Sequence, residues 1–470
     1  MTREPLSLET VPVTPLPDRL AVGGGTALFV DGRCTHPRGE LASLEVTLGD
    51  RAVPVLGWGM APPRMRGSDY WWAIVPIPAD AAPATLGVGL RGRALAGGVA
   101  EAGLGSIELT DSLPGVAVPS EEFGPAGRSR VAICMATYEP EIELFREQIE
   151  SIRSQTHSEW ICLISDDASG PASVAAMREA IGADPRFHLS VAAENRGFYA
   201  NFERALTMIP DGTAFVALSD QDDRWRPDKL ERLLAGLDPE AGLVFSDMRI
   251  TTPEQGVLAD TYWGFRRNNY ADLGSLLVAN TVTGAAALFR AELLADVLPF
   301  PPRHGRAYHD HWIAQVALAL GPISYVDEPL YDYVQHDEAA LGFLQANGYG
   351  RYSAPLRERI GIWYGRWSGR GFRLGWRVPY FRLYCRVRLA ATVLQLRLGE
   401  RIGAERRAVL AAIDDSPAGL AWLARRGLRD LRGPTETIGR ERVMLAGLAW
   451  RRGAEARRRA RQALVRIRGG

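Results

Sequence analysis

The chain has 470 residues, of which 46% are hydrophobic and 23% charged, a composition typical of a soluble globular protein with two to four domains. Its formal net charge is zero, but the charges are segregated: residues 1–350 hold 27 Lys and Arg against 46 Asp and Glu, whereas residues 351–470 hold 28 against 9. The four cysteines are far apart and form no CxxC or Cys/His cluster, which argues against a disulfide framework or a structural zinc site.

The first part of the chain, residues 1–125, is expected to form a small antiparallel β-sandwich followed by a linker. Short β-type runs punctuated by Gly and Pro occur at Ala27–Val30, Leu44–Leu48, Tyr70–Ile77 and Thr85–Leu90, and Pro114–Arg130 has linker composition. The aromatic residues Trp58, Tyr70, Trp71 and Trp72 leave two interpretations open. All four stack on sugar rings in a glycan-binding or interaction module, or Tyr70, Trp71 and Trp72 alternate between core and surface.

The middle of the chain, residues 126–345, alternates β and α patterns. This order predicts βαβ units and a doubly wound, mostly parallel sheet, so the fold class is α/β. The predicted strands are Val131–Ala136, Trp160–Ser165, Phe187–Val191, Ala214–Leu218, Gly242–Ser246, Gly284–Phe289 and Ile323–Val326. The predicted helices are Glu141–Gln155, Ala172–Ile181, Phe198–Ile209 and Pro227–Leu237.

The last part, residues 346–470, is predicted to be helical and is rich in arginine. Basic helices bind anionic membrane surfaces, but this one would equally pack against the acidic domains of the same chain or against a second copy in a homo-oligomer. No recognised nucleic-acid-binding motif accompanies the arginines, so no nucleic-acid partner is expected. No run approaches 18 apolar residues and the N-terminus has no apolar signal core, so we expect a cytoplasmic protein that contacts the inner face of the cell membrane peripherally, if at all.

The acidic stretch from Ser219 to Trp225 is the most informative motif. Asp220, Asp222 and Asp223 follow the apolar run Ala214–Leu218, which reads as a buried strand. Open α/β sheets bind ligands at the carboxyl ends of their strands, and closely spaced carboxylates suit Mg²⁺ or Mn²⁺ together with substrate phosphates. A solvated acidic turn is the alternative for this motif taken alone.

Three further turns follow predicted strands. Thr137, Tyr138 and Glu139 offer a hydroxyl, an aromatic face and a carboxylate to a nucleotide, and Asp167 offers a carboxylate to a base N–H. Asn195 and Arg196 lie in an Asn-x-Gly turn before a predicted helix, where backbone donors and a cation suit a diphosphate. Ordinary strand-end turns and helix caps remain alternatives for all three.

Two histidine-containing clusters occur near the end of the middle part. Asp310, between His309 and His311, has the position of a general base near a helix start, and His311 and Trp312 would form a sugar-facing rim. His336, after a predicted strand, is a candidate metal ligand or diphosphate partner. A helix cap for Asp310 and a structural role for His336 are the alternatives.

Taken together, these motifs resemble glycosyltransferase family 2, the inverting GT-A enzymes that use nucleotide sugars. The resemblance covers about residues 130–340 and rests on Ala-Thr-Tyr-Glu at 136–139, Asp-Asp-x-Ser at 166–169, Asn-x-Gly at 195–197 and Ser-Asp-Gln-Asp-Asp-x-Trp-x-Pro-x-Lys-Leu at 219–230. Weaker matches are Asn-Thr-Val-Thr-Gly at 280–284, His-Asp-x-Trp at 309–312 and Tyr-x-Gln-His at 333–336. The chain looks most like the rhamnosyltransferase branch, and its domain order also resembles bacterial galactofuranosyltransferases.

The resemblance implies roles at the matched positions. Nucleotide-binding residues would be Thr137, Tyr138, Glu139, Asp167, Asn195, Arg196 and Asp220. Asp220, Asp222 and His336 would hold Mg²⁺ or Mn²⁺, and Asp310 would be the catalytic base. His309 stands where many family members have an acid before the catalytic Asp, which leaves the contacts to the acceptor undefined.

The implied activity is transfer of a rhamnose-like or galactofuranose-like sugar from a dTDP- or UDP-sugar to a hydroxyl of a bacterial surface polysaccharide or lipid-linked glycan, with inversion. The rival interpretation is a glycan-binding scaffold or assembly protein whose nucleotide-sugar-binding domain is only weakly active. The partners expected under the first interpretation are a nucleotide-sugar donor and a glycan acceptor.

Overall fold

The computed structural model describes residues 6–61, 69–116, 118, 129–264, 267–335, 380–414, 416–429, 437 and 439–469. His336 lies outside the described residues, so the prediction for that side chain stays a prediction.

The N-terminal part forms two sheets in which most neighbouring strands run antiparallel. Its strands are β1 Leu6–Ser7, β2 Glu9–Pro12, β3 Arg19–Ala21, β4 Thr26–Thr35, β5 Leu41–Leu48, β6 Arg51–Pro54, β7 Gly57–Trp58, β8 Tyr70–Ile77, β9 Ala84–Ala94 and β10 Val99–Thr110. One sheet has the order β1-β10-β9-β5-β6 with β3 beside β10, and the other has the order β2-β4-β8-β7. Leu44, Val46 and Leu48 alternate inward along β5, as expected for a strand with one buried face.

Strand β8 is buried on both of its faces, which corrects both interpretations of its aromatic residues. Trp71 packs in the core between the two sheets, whereas Tyr70 and Trp72 belong to the larger core of the chain. On that second side, Trp72 makes edge contacts with Tyr380 and Phe381 of the C-terminal part. Tyr70, Trp71 and Trp72 therefore neither stack on sugars nor alternate between core and solvent.

The middle part is built on one mixed sheet flanked by helices. Its strands are β11 Val131–Thr137, β12 Trp160–Asp166, β13 Phe187–Val191, β14 Phe215–Ser219, β15 Arg224–Trp225, β16 Leu243–Thr251, β17 Val257–Ala259, β18 Ala287–Arg290 and β19 Ile323–Val334. Its helices are α1 Ile142–Arg153, α2 Pro171–Ile181, α3 Phe198–Leu206, α4 Lys229–Gly236, α5 Leu273–Val278, α6 Leu294–Val297 and α7 His309–Leu320.

The strand order of this sheet is β13-β12-β11-β14-β18-β16-β19-β15, with β17 beside β16. Strands β13, β12, β11 and β14 are parallel neighbours, whereas β18 runs antiparallel to both β14 and β16. Strands β11 and β12 are apolar along almost their whole length because helices cover both faces of the sheet.

The C-terminal part is helical in its described residues. A π-helical turn at Tyr380–Tyr384 leads into α8 Cys385–Leu398, followed by α9 Ala404–Ala411, α10 Pro417–Leu428 and α11 Arg440–Gly469. Arg397 of α8 is buried and donates hydrogen bonds to the carbonyl of Gly25 in the sandwich and to those of Asp296, Val297 and Pro299. This helix therefore joins the sandwich to the mixed sheet.

The basic tail packs against acidic and aromatic side chains of the same chain. Arg426 of α10 pairs with Asp272, which caps the N-terminus of α5. Arg451 of α11 lies 5.9 Å from the Trp72 ring. Of the interpretations left open for the tail, packing within the chain is therefore observed. None of the described helices is both long and apolar enough to cross a membrane.

The predicted α/β class, with a preceding sandwich and a following helical region, is confirmed. The boundaries at residues 125 and 345 stay predictions. Three strands differ most from expectation. Strand β16 continues beyond the predicted Ser246 to Thr251, because β17 and β19 pair with its second half. Strand β19 extends to Val334 because β16 and β15 flank its second half, and Gly284–Ala286 is a 3₁₀ turn before β18 rather than part of that strand.

Candidate functional site

Three parallel strands bring the predicted polar turns to one edge of the sheet. Thr137 at the end of β11 is in register with Asp166 at the end of β12, and Met135 of β11 is in register with Ser219 at the end of β14. The acidic motif thus follows the strand next to the one that ends at Thr137. This is the carboxyl edge at which α/β sheets bind ligands.

The Thr137 and Asp166 side chains fix the geometry of this edge. Both are buried, and the Thr137 hydroxyl donates to Asp166 Oδ2 over 3.0 Å. The same carboxylate accepts from the backbone N–H and the hydroxyl of Ser169. Thr137 therefore shapes the turn rather than exposing its hydroxyl, and the turn after β12 is closed by its own side chains.

The carboxylate of Asp167 holds the turn that contains Asn195 and Arg196. Its two oxygens accept from the backbone N–H groups of Arg196 and Gly197 over 2.9 and 2.7 Å. Gly197 has φ of +83°, a conformation that favours glycine, and it begins α3. The Asn195 and Arg196 side chains are exposed, and Arg196 pairs with Glu194.

Gln221 links the turn at Tyr138 to the acidic motif. The Tyr138 N–H donates to Gln221 Oε1 over 2.9 Å, and the Gln221 amide donates back to the Tyr138 carbonyl. The Tyr138 ring is 52% exposed and is available to a flat ligand. Glu139 instead accepts from Gly170 N and from the Ser173 hydroxyl at the start of α2, which lowers the pKa of Glu139.

The acidic motif concentrates negative charge at this edge. Burial raises the pKa of Asp220 to about 7, with further contributions from the charges of Asp222 and Asp310. Asp223 is fully buried, and burial followed by the charges of Asp220 and Asp222 raises its pKa well above its usual range. The motif is therefore not a solvated turn.

Lys229 supplies a positive charge that acts on Asp220 and Asp223. It is fully buried on α4, donates to the Ala285 carbonyl, and lies 3.4 Å from the centroid of the Trp225 ring. Burial lowers the pKa of Lys229, whereas the charges of Asp223 and Asp220 act to raise it. One buried ammonium group thus faces a cluster of carboxylates.

Asp310 lies at the N-terminus of α7, near the acidic motif. Its carboxylate accepts from the backbone N–H groups of His311 and Gly284 over 2.6 and 3.2 Å. Burial raises the pKa of Asp310 to about 6, although these bonds and one from the Asn280 side chain act to lower it. The mixed sheet therefore brings the candidate base next to the acidic motif, although the two are far apart in sequence.

His309 packs underneath this position. Its ring stacks on Phe202 with centroids 3.5 Å apart, and burial lowers its pKa to about 3, so the imidazole is neutral. A Cβ on Gly284 would lie 2.8 Å from His309 Nε2. The close approach of this glycine allows its N–H to reach Asp310.

The rim predicted from His311 and Trp312 is not found. Both are buried: His311 Nε2 contacts the Leu276 carbonyl, and Trp312 Nε1 donates to the Val297 carbonyl over 2.8 Å. They face inward because the two positions after Asp310 on α7 turn toward α5 and α6. At most they line a small cavity of about 40 Å³.

The residues at the acidic motif fit a divalent cation. Asp220 and Asp222 offer carboxylate oxygens, the ligands that Mg²⁺ and Mn²⁺ prefer, and a cation would relieve the repulsion that raises the pKa of Asp220. Within the described ranges, no group of three or more His, Cys, Asp or Glu side chains is arranged to hold a metal. A complete site would therefore draw further oxygen atoms from diphosphate or water.

Three residues of the site were not singled out from the sequence. Lys229 and Gln221 were part of the quoted motif, but nothing in their spacing indicated contacts with the carboxylates and with Tyr138. Asn201 is buried on α3 and donates to the carbonyls of Thr137 and Ser165. The signal in the sequence is an asparagine on the apolar face of an amphipathic helix.

A family model covers the part of this site that precedes residue 298, and Asp310 lies beyond the match. The family model described as Glycosyl transferase family 2 matches residues 132–298. TuaG of Bacillus subtilis, a putative teichuronic acid biosynthesis glycosyltransferase, is 29% identical over 92 residues, which are 20% of this chain and 36% of TuaG. EpsH of the same organism, a putative glycosyltransferase, is 28% identical over 217 residues, which are 44% of this chain and 61% of EpsH. The chain thus spans less than two thirds of the length of either relative.

Among solved structures, residues 1–349 of TarS from S. aureus, in complex with UDP-GlcNAc, align with 69% of this chain and 92% of that one. The sequence identity is 14% and the TM-score is 0.37, so the similarity to this structure is low. The family model and the sequence relatives agree with the motifs that line the carboxyl edge of the sheet. Residues 132–298 of this chain therefore form a glycosyltransferase family 2 domain.

Proposed function

We propose that the chain is an inverting, metal-dependent glycosyltransferase. It would move a rhamnose-like or galactofuranose-like sugar from a dTDP- or UDP-sugar to a hydroxyl of a surface polysaccharide or a lipid-linked glycan. The observation that carries the proposal is the position of Asp310: its carboxylate accepts from the Gly284 N–H, and the adjacent Ala285 carbonyl accepts from Lys229, whose charge acts on Asp220 and Asp223. A base close to a diphosphate-binding motif is the arrangement that a single displacement needs.

The donor would bind along the edge from Tyr138 to Asp222. The exposed Tyr138 ring suits a nucleobase, and the Asp167 carboxylate holds the turn at Arg196 by accepting from its backbone N–H. The exposed Arg196 guanidinium would exchange its partner Glu194 for the diphosphate. A divalent cation held by Asp220 and Asp222 would neutralise the charge that develops on the departing diphosphate. His336 stays a proposed further ligand.

In the proposed reaction the acceptor hydroxyl attacks the anomeric carbon from the face opposite the diphosphate. The bond from the anomeric carbon to the diphosphate oxygen breaks as the new glycosidic bond forms, and the hydroxyl proton passes to the Asp310 carboxylate. The backbone N–H groups of Gly284 and His311 orient that carboxylate. His309 beneath it is neutral and therefore places no positive charge beside the base.

The decisive experiment replaces Asp310 by Asn. We expect Asp310→Asn to fold, to bind nucleotide as before and to lose sugar transfer by at least about 100-fold, in line with the loss of a general base. Transfer is measured with labelled dTDP- and UDP-sugars, with and without Mn²⁺ and after chelation by EDTA. Unchanged turnover would exclude Asp310 as the base.

The same assay separates the enzyme from the rival scaffold. A scaffold with a weakly active domain would bind nucleotide sugars but transfer little sugar, both as the parent chain and as Asp310→Asn. In a thermal-shift screen, a nucleotide sugar that binds only the native state raises the midpoint of unfolding, and the donor we propose should do so more strongly with Mn²⁺.

A further inference from the structure

A second cavity lies between the β-sandwich and α11, away from the glycosyltransferase domain. Its volume is about 410 Å³, within the range of roughly 300–1,000 Å³ typical of small-molecule sites. His36 and Trp58 line it from the sandwich, and Arg457, Arg458 and Arg461 line it from the helix. None of its lining residues falls within residues 132–298.

His36 presents a hydrogen-bond donor to this cavity. The side chain is only 6% exposed, and its Nδ1 accepts from the backbone N–H of Arg38 over 3.0 Å. Because Nδ1 is the acceptor, the proton of the neutral ring resides on Nε2. That buried Nε2 has no hydrogen-bond partner among the described residues. Burial, together with the charge of Arg38, lowers the pKa of His36 and keeps the ring neutral.

Arg458 presents a second buried donor. Its guanidinium carbon lies 4.7 Å from the centroid of the Trp58 ring, which fixes the side chain at the cavity wall. In the part of the chain that the structure describes, its Nε is also buried without a partner. Arg457 and Arg461 add two exposed guanidinium groups on neighbouring turns of the same helix.

The balance of charge at the cavity favours an anion. Two carboxylates, Asp69 and Glu40, also line it, but Asp69 is already paired with Arg33 over 3.0 Å. Three guanidinium groups and one imidazole N–H thus face one remaining carboxylate. A carboxylate or phosphate group is the natural acceptor for such donors, because charge-assisted hydrogen bonds to arginine are stronger than neutral ones.

The cavity also has features that a bare anion would not use. The Glu40 carboxylate and the side-chain carbonyl of Gln462 are acceptors suited to hydroxyl donors. Gly39 leaves open space at the wall, since a Cβ there would meet nothing within 4 Å. Hydroxyl acceptors beside an anion site, in a space larger than one oxyanion, match a sugar ring that carries an acidic group.

We propose that this cavity binds an acidic saccharide, with its carboxylate or phosphate group held by Arg458, Arg461 and His36 and its hydroxyl groups by Glu40 and Gln462. The site is independent of the proposed transferase reaction, and its test reads binding rather than turnover.

The test is calorimetric titration of the full chain at low ionic strength with four probes: D-glucuronate, glucose 6-phosphate, D-glucose and inorganic phosphate. At least one of the two acidic sugars should bind, and glucose and phosphate should each bind at least about tenfold more weakly, because each lacks one half of the interactions. Which acidic sugar binds tells a carboxylate ligand from a phosphate ligand.

Arginine variants locate the site. Arg458→Gln and Arg461→Gln should each weaken binding of the acidic sugar by about tenfold, the loss expected for a charge-assisted hydrogen bond. Arg459→Gln is the matched control, because it removes the same charge from the same helix at an exposed position that does not line the cavity. Arg461 is exposed, so its variant should keep the unfolding midpoint of the parent chain.

Three results would overturn the proposal. The first is no binding of either acidic sugar. The second is equal weakening in Arg459→Gln and in the two cavity variants, which would mean attraction to diffuse charge. The third is phosphate or glucose binding as tightly as the acidic sugars.

Discussion

At the residue scale, the site is defined by neighbouring carboxyl groups that are partly or fully buried. Asp220 and Asp223 have raised pKa values, first because they are buried and then because their neighbours are also acidic. The fold tolerates this cluster because Lys229 is buried beside it. Two predictions follow from this arrangement, one for catalysis and one for stability.

The raised pKa of Asp310 predicts the pH dependence of sugar transfer. A base must be deprotonated to accept the acceptor proton, so activity should rise as the pH increases through about 6 and then level off. Initial rates between pH 4.5 and 8.5, at saturating donor, measure the acidic limb. A limb that stays below pH 4.5 would show that the carboxylate is not shielded from water as the structure has it.

Replacing Lys229 by Met should destabilise the chain. The substitution removes the positive charge that acts against the raised pKa of the buried Asp223 carboxyl group, together with the hydrogen bond from Lys229 to the Ala285 carbonyl, a loss of about 1.5–3 kcal/mol for a hydrogen bond to a charged group. Chemical denaturation of the variant measures this loss. The double variant Lys229→Met with Asp223→Asn should recover a large part of it, because the uncompensated charge is then gone. Equal stability of the single and double variants would contradict the coupling.

At the element scale, single arginines connect units that are far apart in sequence. Arg397 of α8 reaches the sandwich at Gly25 and the segment from Asp296 to Pro299 at the same time. Arg426 of α10 connects the tail to α5 through Asp272. Burial acts to raise the pKa of Asp272, but the hydrogen bond and charge of Arg426, together with the bonds from Ser275, lower it overall. The basic tail is thus partly a set of counter-charges and donors for the acidic parts of the chain.

Arg397→Met should lower the free energy of unfolding by roughly 2–4 kcal/mol, because several buried carbonyls lose a charged donor. Thermal and urea unfolding measure the effect. Arg407→Met, on the exposed side of α9, is the control and should change the free energy by less than about 0.5 kcal/mol. Similar losses in both variants would mean that the bridge contributes little.

At the scale of the whole molecule, the basic tail is in contact with the acidic remainder of the chain, through the ion pairs Arg401–Asp296 and Arg426–Asp272. The tail covers one face of the sandwich, where Trp72 meets Tyr380 and Arg451. Toward its end, α11 still exposes Leu464 and Ile467 among arginines. Exposed apolar residues next to basic ones are typical of helices that lie on anionic membranes.

Peripheral membrane contact stays a prediction, and the exposed residues at the end of α11 can be substituted to test it. In a sedimentation assay at low salt, the full chain should bind vesicles with anionic lipid and not neutral ones, and 0.5 M salt should release it. Leu464→Ser with Ile467→Ser should weaken binding, while the folded state is kept because both side chains are exposed. No binding to anionic vesicles at low salt would remove the membrane interpretation.

The sequence by itself determined the α/β class, the order of sandwich, mixed sheet and helical tail, and the family to which residues 132–298 belong. These features can be read from short stretches of sequence. The spacing of apolar residues distinguishes strands from helices, and the polar motifs directly follow strands whose carboxyl ends meet at one edge of the sheet. The identities of Asp220, Asp222 and Asp310 as candidate residues were accessible in the same way.

Only the tertiary structure decided which side chains face the site. His311 and Trp312 turn into the core because of their phase on α7, and Glu139 is taken up by the start of α2. The charge of Lys229 acts on Asp220 and Asp223 because the packed fold brings all three near one another. Tyr70 and Trp72 contact the tail across a long separation in sequence. Burial and long-range charge are properties of the packed molecule, so no local pattern carries them.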